Sequence, residues 1–177
     1  MHMNWNDYFI ADFEAGTLTW KQRALEQFPD ERVWKSWNTK NAGKIAGCLE
    51  RHGYWKMCLF HKRCSSHRII WEMANGPIPK GLQIDHIDQN RSNNRLSNLR
   101  LATNAENARN RRVQITNTSG FKGVSRLPNG SWRAKINVHG RKIHIGHFAN
   151  FEEATAARQA AELKYHGAFA PQESTKQ

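Results

Sequence analysis

Apolar and polar positions alternate most regularly toward the C-terminal end of the chain. In "SWRAKINV", Trp132, Ala134, Ile136 and Val138 fall on one side and Arg133, Lys135 and Asn137 on the other, the period of a half-buried strand. "FKGVSRL" before it and "RKIHIGHF" after it, set off by the turns "PNG" and "HG", predict a three-stranded antiparallel sheet. "NFEEATAARQAAELKYHG" then changes to helical spacing. Asn150 is the expected N-cap, Glu152 and Glu153 occupy the first turn, and Gly167 is the stop. Ala154, Ala157, Ala161 and Tyr165 share one face of that helix. Such a face lets it lie close on the sheet and leaves the Arg- and Lys-bearing sheet face exposed.

Upstream the pattern is shorter in range. Residues 1–75 carry brief alternating runs ("TLTWK", "AGKIAGCLERHGYWKMCLF") broken by glycine turns, which predicts a small β-rich unit. It leads into "SSHRIIWEMANG", where Ile69, Ile70 and Met73 form a helical stripe and Gly76 a stop. "PIPKG" is a natural break. Beyond it, "LQIDHI" predicts a short strand, "DQNRSNN" a turn-rich loop and "RLSNLRLA" a second strand. Thr103 then opens a helix, with Glu106 three residues on completing a capping box. The expected fold class is α+β. Its parts are a β-rich N-terminal unit with a helix over 1–75, a strand–loop–strand–helix unit over 76–112, a polar linker over 113–119, the sheet and helix over 120–170, and a tail over 171–177. "LSNLRLATN" fits a leucine-rich repeat once, where that fold needs several copies, so a solenoid is set aside.

Composition limits the rest. The 177 residues are 38% hydrophobic with mean hydropathy −0.80, so any core is modest. No 18-residue apolar run or signal-peptide pattern occurs, so a non-exported chain without a membrane partner is expected. Cys48, Cys58 and Cys64 are odd in number and form no CxxC, which argues against a disulfide scaffold or a four-ligand zinc site. Charge changes the picture more. There are 27 Lys and Arg against 15 Asp and Glu, a net +12 with pI near 10.1. The excess is uneven: residues 1–75 hold 11 basic and 8 acidic side chains, whereas Asn107 to Phe151 hold nine Lys or Arg and no acid. So one-sided a stretch points to a polyanion, of which nucleic acid is the commonest.

The densest chemistry lies in "IDHIDQNRSNNRLSNLRLATNAENARNRR", which holds an Asp–His pair, seven Asn and, at its end, three clustered Arg. Asp85-His86, then Asn98 twelve residues after the histidine, then Asn107 nine further on, resembles the ββα-metal motif of HNH nucleases. The resemblance is closest to the phage and intron-encoded homing endonucleases in which the last His is replaced by Asn. It is good over about 60–112 and looser over 1–60. It implies a metal-dependent DNA endonuclease in the host cytoplasm of a phage or mobile element. His86 and Asn98 would be the catalytic pair, and Asp85 and Asn107 the metal ligands. The residue types suit that chemistry. An imidazole with pKa of about 6.5 can deprotonate water near neutral pH. One carboxylate and one amide oxygen are hard donors, which favour Mg²⁺ or Mn²⁺ over zinc. Asp85 and His86 would point to opposite sides of a regular strand, so a bend is expected if both serve one site. Asn98 would hold His86 or brace the loop. Asn93, Asn94 and Asn104 are expected to shape the turn or cap the helix, with Asn94 or Asn104 the alternate site partners. Asp88 reads as a turn residue, His67 as structural in the helix before, and Arg109, Arg111 and Arg112 as phosphate contacts.

Separately, "GFKGVSRLPNGSWRAKI", "IHIGHF" and "EEATAARQAAELKYHG" resemble, in that order, the AP2 DNA-binding domain. Arg126, Arg133, Lys135, Arg141 and His144 are then the expected contacts to double-stranded DNA, with Trp132 packed beneath the helix. The chain departs from the pattern of plant regulators at Ser125 and His144. Phosphate-dominated, salt-dependent binding is accordingly the expectation. No small-molecule cofactor is expected, and a monomer is favoured. Two alternatives stay open on the sequence: a non-catalytic, sequence-reading DNA-binding protein that uses the HNH fold only as scaffold, and an RNA-directed role.

Overall fold

The computed structural model describes residues 3–110, 117–138 and 140–169, apart from the side chains of Arg109 and Ala168. The fold is α+β and divides once, into compact units Met1–Asn104 and Ala105–Gln177.

The first unit opens with a hairpin, β1 (Phe9–Asp12) antiparallel to β2 (Thr17–Trp20) in the register Phe9↔Trp20. Helix α1 (Glu31–Asn41) follows. A three-stranded antiparallel sheet of β3 (Cys48–Leu49), β4 (Trp55–Leu59) and β5 (Lys62–Ser65) leads straight into α2 (Ser66–Asn75). The pair β6 (Leu82–His86) and β7 (Leu99–Thr103) closes the unit, aligned Ile84↔Leu101. Phe9, Leu18, Leu59, Ile69, Ile70 and Ile84 are among the residues of a single buried cluster that joins hairpin, sheet, α2 and β6. The N-terminal residues and the strand pair therefore share one core.

The sequence reading left α1 out of its β-rich N-terminal unit. Asp30 caps it, its Oδ1 accepting from Val33 N at 2.8 Å, and Glu31 pairs with Lys35 one turn on. What the helix half-buries is not an aliphatic stripe but indole rings. Trp37 stands edge-on to Trp20 at 5.2 Å, and Trp34 Nε1 donates to Arg23 O at 2.7 Å. Aromatic residues give little helical signal in sequence.

Helix α3 (Asn104–Arg109), in the second unit from Ala105 on, continues directly from β7 in the chain. Strands β8 (Val124–Arg126), β9 (Trp132–Val138) and β10 (Arg141–Phe148) form an antiparallel sheet in the order β8–β9–β10, with an irregularity between His144 and Gly146. Helix α4 (Phe151–His166) carries the expected Asn150 cap, Oδ1 accepting from Glu153 N at 2.8 Å, and Gly167 stands at its C-terminal end. Its buried stripe corrects the sequence reading. Ala154 and Ala161 are buried as expected, but Tyr165 is exposed, and Arg158 and Glu162 take buried positions as an ion pair of 2.8 Å. Gly123 makes room for that arginine, since a Cβ there would lie 2.4 Å from Lys135 O and 2.6 Å from Arg158 Nε. Trp132 packs against Phe151 at 4.8 Å, on the helix side of the sheet.

Candidate active site

The loop between β6 and β7 explains the crowd of asparagines. Asp88 is its hub: Oδ1 accepts from Asn90 N at 2.8 Å and from Asn98 Nδ2 at 2.9 Å, and Oδ2 accepts from Asn93 Nδ2 at 2.7 Å. Asn98 closes the ring. Its Oδ1 accepts from Asp88 N at 3.0 Å, its Nδ2 also donates to Asn93 O at 2.8 Å, and its carbonyl takes Ile87 N at 2.9 Å. Burial by itself would raise the Asp88 pKa. The bonds from Asn93, Asn90 and Asn98 and the nearby His86 outweigh it, so the carboxyl stays below its ordinary value and ionised. A loop of amides is thus wound around one anion. Of the two roles open to Asn98, the geometry gives it bracing of the loop. It sits in the 3-10 turn Leu96–Asn98, one residue before β7 begins.

His86 ends β6 with its side chain buried. Asn94, 2% exposed, faces the ring with Oδ1 3.1 Å from His86 Nε2. A carbonyl oxygen there requires Nε2 to carry the proton, which puts the lone pair on Nδ1. Burial pulls the His86 pKa below the ordinary histidine value. The Asn94 bond and the charges of Asp88 and Asp85 oppose that pull, and Arg91 adds to it. The imidazole is therefore neutral at neutral pH, the state a general base needs.

Its surroundings are aromatic. His67 on α2 stands edge-on to His86 at 5.0 Å between ring centroids, and Tyr54 lies 5.4 Å from His67 and 6.1 Å from His86. Burial, with His86, Arg68 and Lys56 adding repulsion, holds His67 down to about 3, so it too is neutral. Arg91 lies over the Tyr54 ring at 5.0 Å and donates through Nη1 to His52 O at 3.2 Å. That bond occupies one of the five guanidinium donors and leaves an exposed cation whose charge acts on His86.

Asp85, adjacent in β6, is buried and pairs across the strands with Arg100. Nε and Nη2 of that arginine both lie 2.9 Å from Asp85 Oδ2. Asn107 lies half-buried on α3, in the second unit. Among the described residues no three His, Cys, Asp or Glu side chains group as metal ligands. The candidate donors are a carboxylate and a carboxamide. These are hard oxygens that suit a partial shell completed by water and phosphate, and on donor chemistry they fit a divalent ion of the Mg²⁺ kind.

Arg111 and Arg112 lie outside the described residues, as does most of the expected linker, and Arg109 is described only as the last residue of α3. On the β8–β9–β10 sheet, alignment of Ser125, Arg133 and His147, of Lys135 with His144, and of Asn137 with Lys142 makes one polar, cationic face. Lys142 and His147 belong to it and were not singled out by sequence. His147 meets His144 at 4.6 Å. Arg126 aligns with Trp132, and Arg141 with Val138, which are helix-side positions, although both arginines are exposed at strand ends.

Strand, amide-braced loop and strand around a buried neutral histidine, with a helix next along the chain, follow the order of a ββα nuclease motif, and comparison with known proteins agrees. A family model described as HNH endonuclease matches residues 65–109. Protein 3.8 of Escherichia phage T7 is 41% identical over 112 residues, 63% of this chain and 92% of that protein. An uncharacterized HNH endonuclease, L560, of Acanthamoeba polyphaga mimivirus is 32% identical over 175 residues, 94% of this chain and 85% of that one. The chain belongs to the HNH endonuclease family and is a nuclease. Over 50 residues, 28% of the chain, it is 42% identical to 14% of an AP2/ERF and B3 domain-containing transcription factor, At1g51120, of Arabidopsis thaliana. A solved structure, DNA binding and cleavage by the HNH homing endonuclease I-HmuI, aligns with TM-score 0.42 and 20% identity over 90% of this chain and 85% of that one. HNH nucleases generally use a divalent metal.

Proposed function

We propose that the chain is a homing-type endonuclease that hydrolyses phosphodiester bonds of double-stranded DNA, with His86 as the general base. The observation that carries this reading is the buried, neutral His86 whose Nε2 faces Asn94 Oδ1. His86 Nδ1 takes the proton of the attacking water, and the neutral ring is ready for it without first losing a proton. Asn94 holds the ring in that tautomer, and Asn98 fixes the loop that carries Asn94. Asp85 and Asn107 would hold Mg²⁺ or Mn²⁺, which supplies charge neutralisation at the scissile phosphate. Arg91, planted on Tyr54, offers its remaining donors to a phosphate oxygen, a fork-shaped match for that group.

The second unit supplies affinity in this proposal. Arg133, Lys135, Lys142, His144 and His147 lie on one sheet face that can follow a DNA backbone or groove, with Arg109, Arg111, Arg112, Arg126 and Arg141 as further phosphate contacts. Its sheet-and-helix order and the partial plant match support an AP2-like module. The test is supercoiled plasmid incubated with purified chain and Mg²⁺. Conversion to open circle or linear DNA that stops on chelation is expected, and intact plasmid under both Mg²⁺ and Mn²⁺ would refute the proposal.

A further inference from the structure

The N-terminal hairpin has no role in the chemistry described so far, yet its turn presses on the loop that orients the histidine. Strands β1 and β2 end in register at Asp12↔Thr17, leaving Phe13–Gly16 as the connection. Asp12 shapes it: Oδ1 accepts from Ala15 N at 2.8 Å and Glu14 N at 3.1 Å, and its carbonyl takes Gly16 N at 2.8 Å. Gly16 adopts φ +71, and a Cβ there would lie 2.4 Å from Arg95 N, 2.5 Å from Asn94 C and 2.9 Å from Asn94 O. Two residues on, Leu96 N donates to Phe13 O at 2.9 Å. The backbone of Asn94 to Leu96 is thus held from one side by the turn of residues 13–16. The Asn94 side chain, buried and inward, reaches His86.

We infer that the hairpin turn at Phe13–Gly16 is a positioning element of the nuclease site, fixing the Asn94 peptide so that Asn94 Oδ1 aims His86. The inference rests on the proposed role of His86 as base. Gly16 is required twice over: left-handed backbone favours glycine, and only a residue without Cβ lets the turn touch the 94–95 peptide. A side chain at position 16 would push that peptide away, and Asn94 with it. Misplacement of about 1 Å at a group that orients a base can cost on the order of 100-fold in rate.

A double-mutant cycle on the full chain tests this by single-turnover cleavage of supercoiled plasmid with Mg²⁺, with DNA affinity and thermal midpoint measured beside it. Gly16→Ala and Asn94→Ala are each expected to slow cleavage by roughly 10- to 100-fold while DNA affinity stays within about two-fold. Gly16→Ala added to Asn94→Ala should slow it little further, because both act through the same contact. Asp12→Ala loosens the turn without inserting an atom, so it serves if Gly16→Ala does not fold. A loss of about 3- to 10-fold is expected, again absent in the Asn94→Ala background. Full activity of both turn variants, or losses that multiply with that of Asn94→Ala, would overturn the inference while a His86-dependent wild type left the base assignment standing. Cleavage unchanged in His86→Ala would overturn the assignment and the inference together.

Discussion

Replacing His67 by Gln should remove a pH dependence of stability that the buried imidazole builds into the first unit. His67 is 8% exposed, its Nδ1 is buried without a partner, and the His86 ring stands 5.0 Å away. Burial first, then repulsion from His86, Arg68 and Lys56, lowers its folded-state value from 6.5 to about 3. With the folded value depressed, the unfolded chain binds the proton more readily. Stability is therefore full above the unfolded value and is lost as pH falls between the two. At about pH 5 the unfolded histidine is charged and the folded one is not. The gap of about 1.5 pH units below the unfolded value amounts to about 2 kcal/mol. With a urea slope of about 2 kcal/mol/M, that moves the midpoint by about 1 M. Tryptophan emission follows the right unit, because of the seven tryptophans only Trp132 lies outside it. The wild type should lose about 2 kcal/mol more than His67→Gln between about pH 7.5 and pH 5. Equal losses in the two chains would show that His67 protonates freely when folded and refute the reasoning.

Three further outcomes follow from the loop and the two cationic surfaces. Asn98→Ala removes the bonds to Asp88 N, Asp88 Oδ1 and Asn93 O, and should lower the urea stability of the first unit by about 1–3 kcal/mol. Unchanged stability would make the ring of amides ornamental. Arg91→Ala should slow single-turnover cleavage by roughly 100-fold or more, with Arg91→Lys recovering only part, since a point charge lacks the guanidinium fork. Lys135→Ala should weaken DNA binding without regard to sequence and reduce the slope of log affinity against log salt by about one. An unaltered slope would take that sheet face off the DNA.

How much of this was legible in the chain depends on the kind of signal each element carries. The second unit was the clearest, because strict alternation is broken by "PNG" and "HG", and Gly130 and Gly140 take the positive φ those turns require. α2, β6 and β7 were equally plain from their apolar spacing. The β4–β5 connection was not, since Phe60 and His61, two bulky residues, occupy positive φ with no Asn-Gly to announce it. Among the candidate site residues, Asp85, His86, Asn98 and Asn107 stood out through the resemblance of their spacing to the HNH motif. Asn94 was one amide among seven, and only the closed loop decides that Asn93 turns to Asp88 while Asn94 turns inward to His86. Arg100 opposite Asp85 could have been found by drawing the β6–β7 register through Ile84↔Leu101. Arg91 and Tyr54 could not, because their stacking joins positions 37 apart with no periodic relation. The buried Arg158–Glu162 pair was hidden among alanines, although its spacing of four is the helical salt-bridge interval.

The base assignment is tested most directly by comparing His86→Ala with the wild type in single-turnover cleavage of supercoiled plasmid with Mg²⁺, with DNA affinity measured on the same preparations. The expected result is a rate lower by roughly 10²- to 10⁴-fold with affinity nearly unchanged. Equal cleavage rates for the two chains would contradict it.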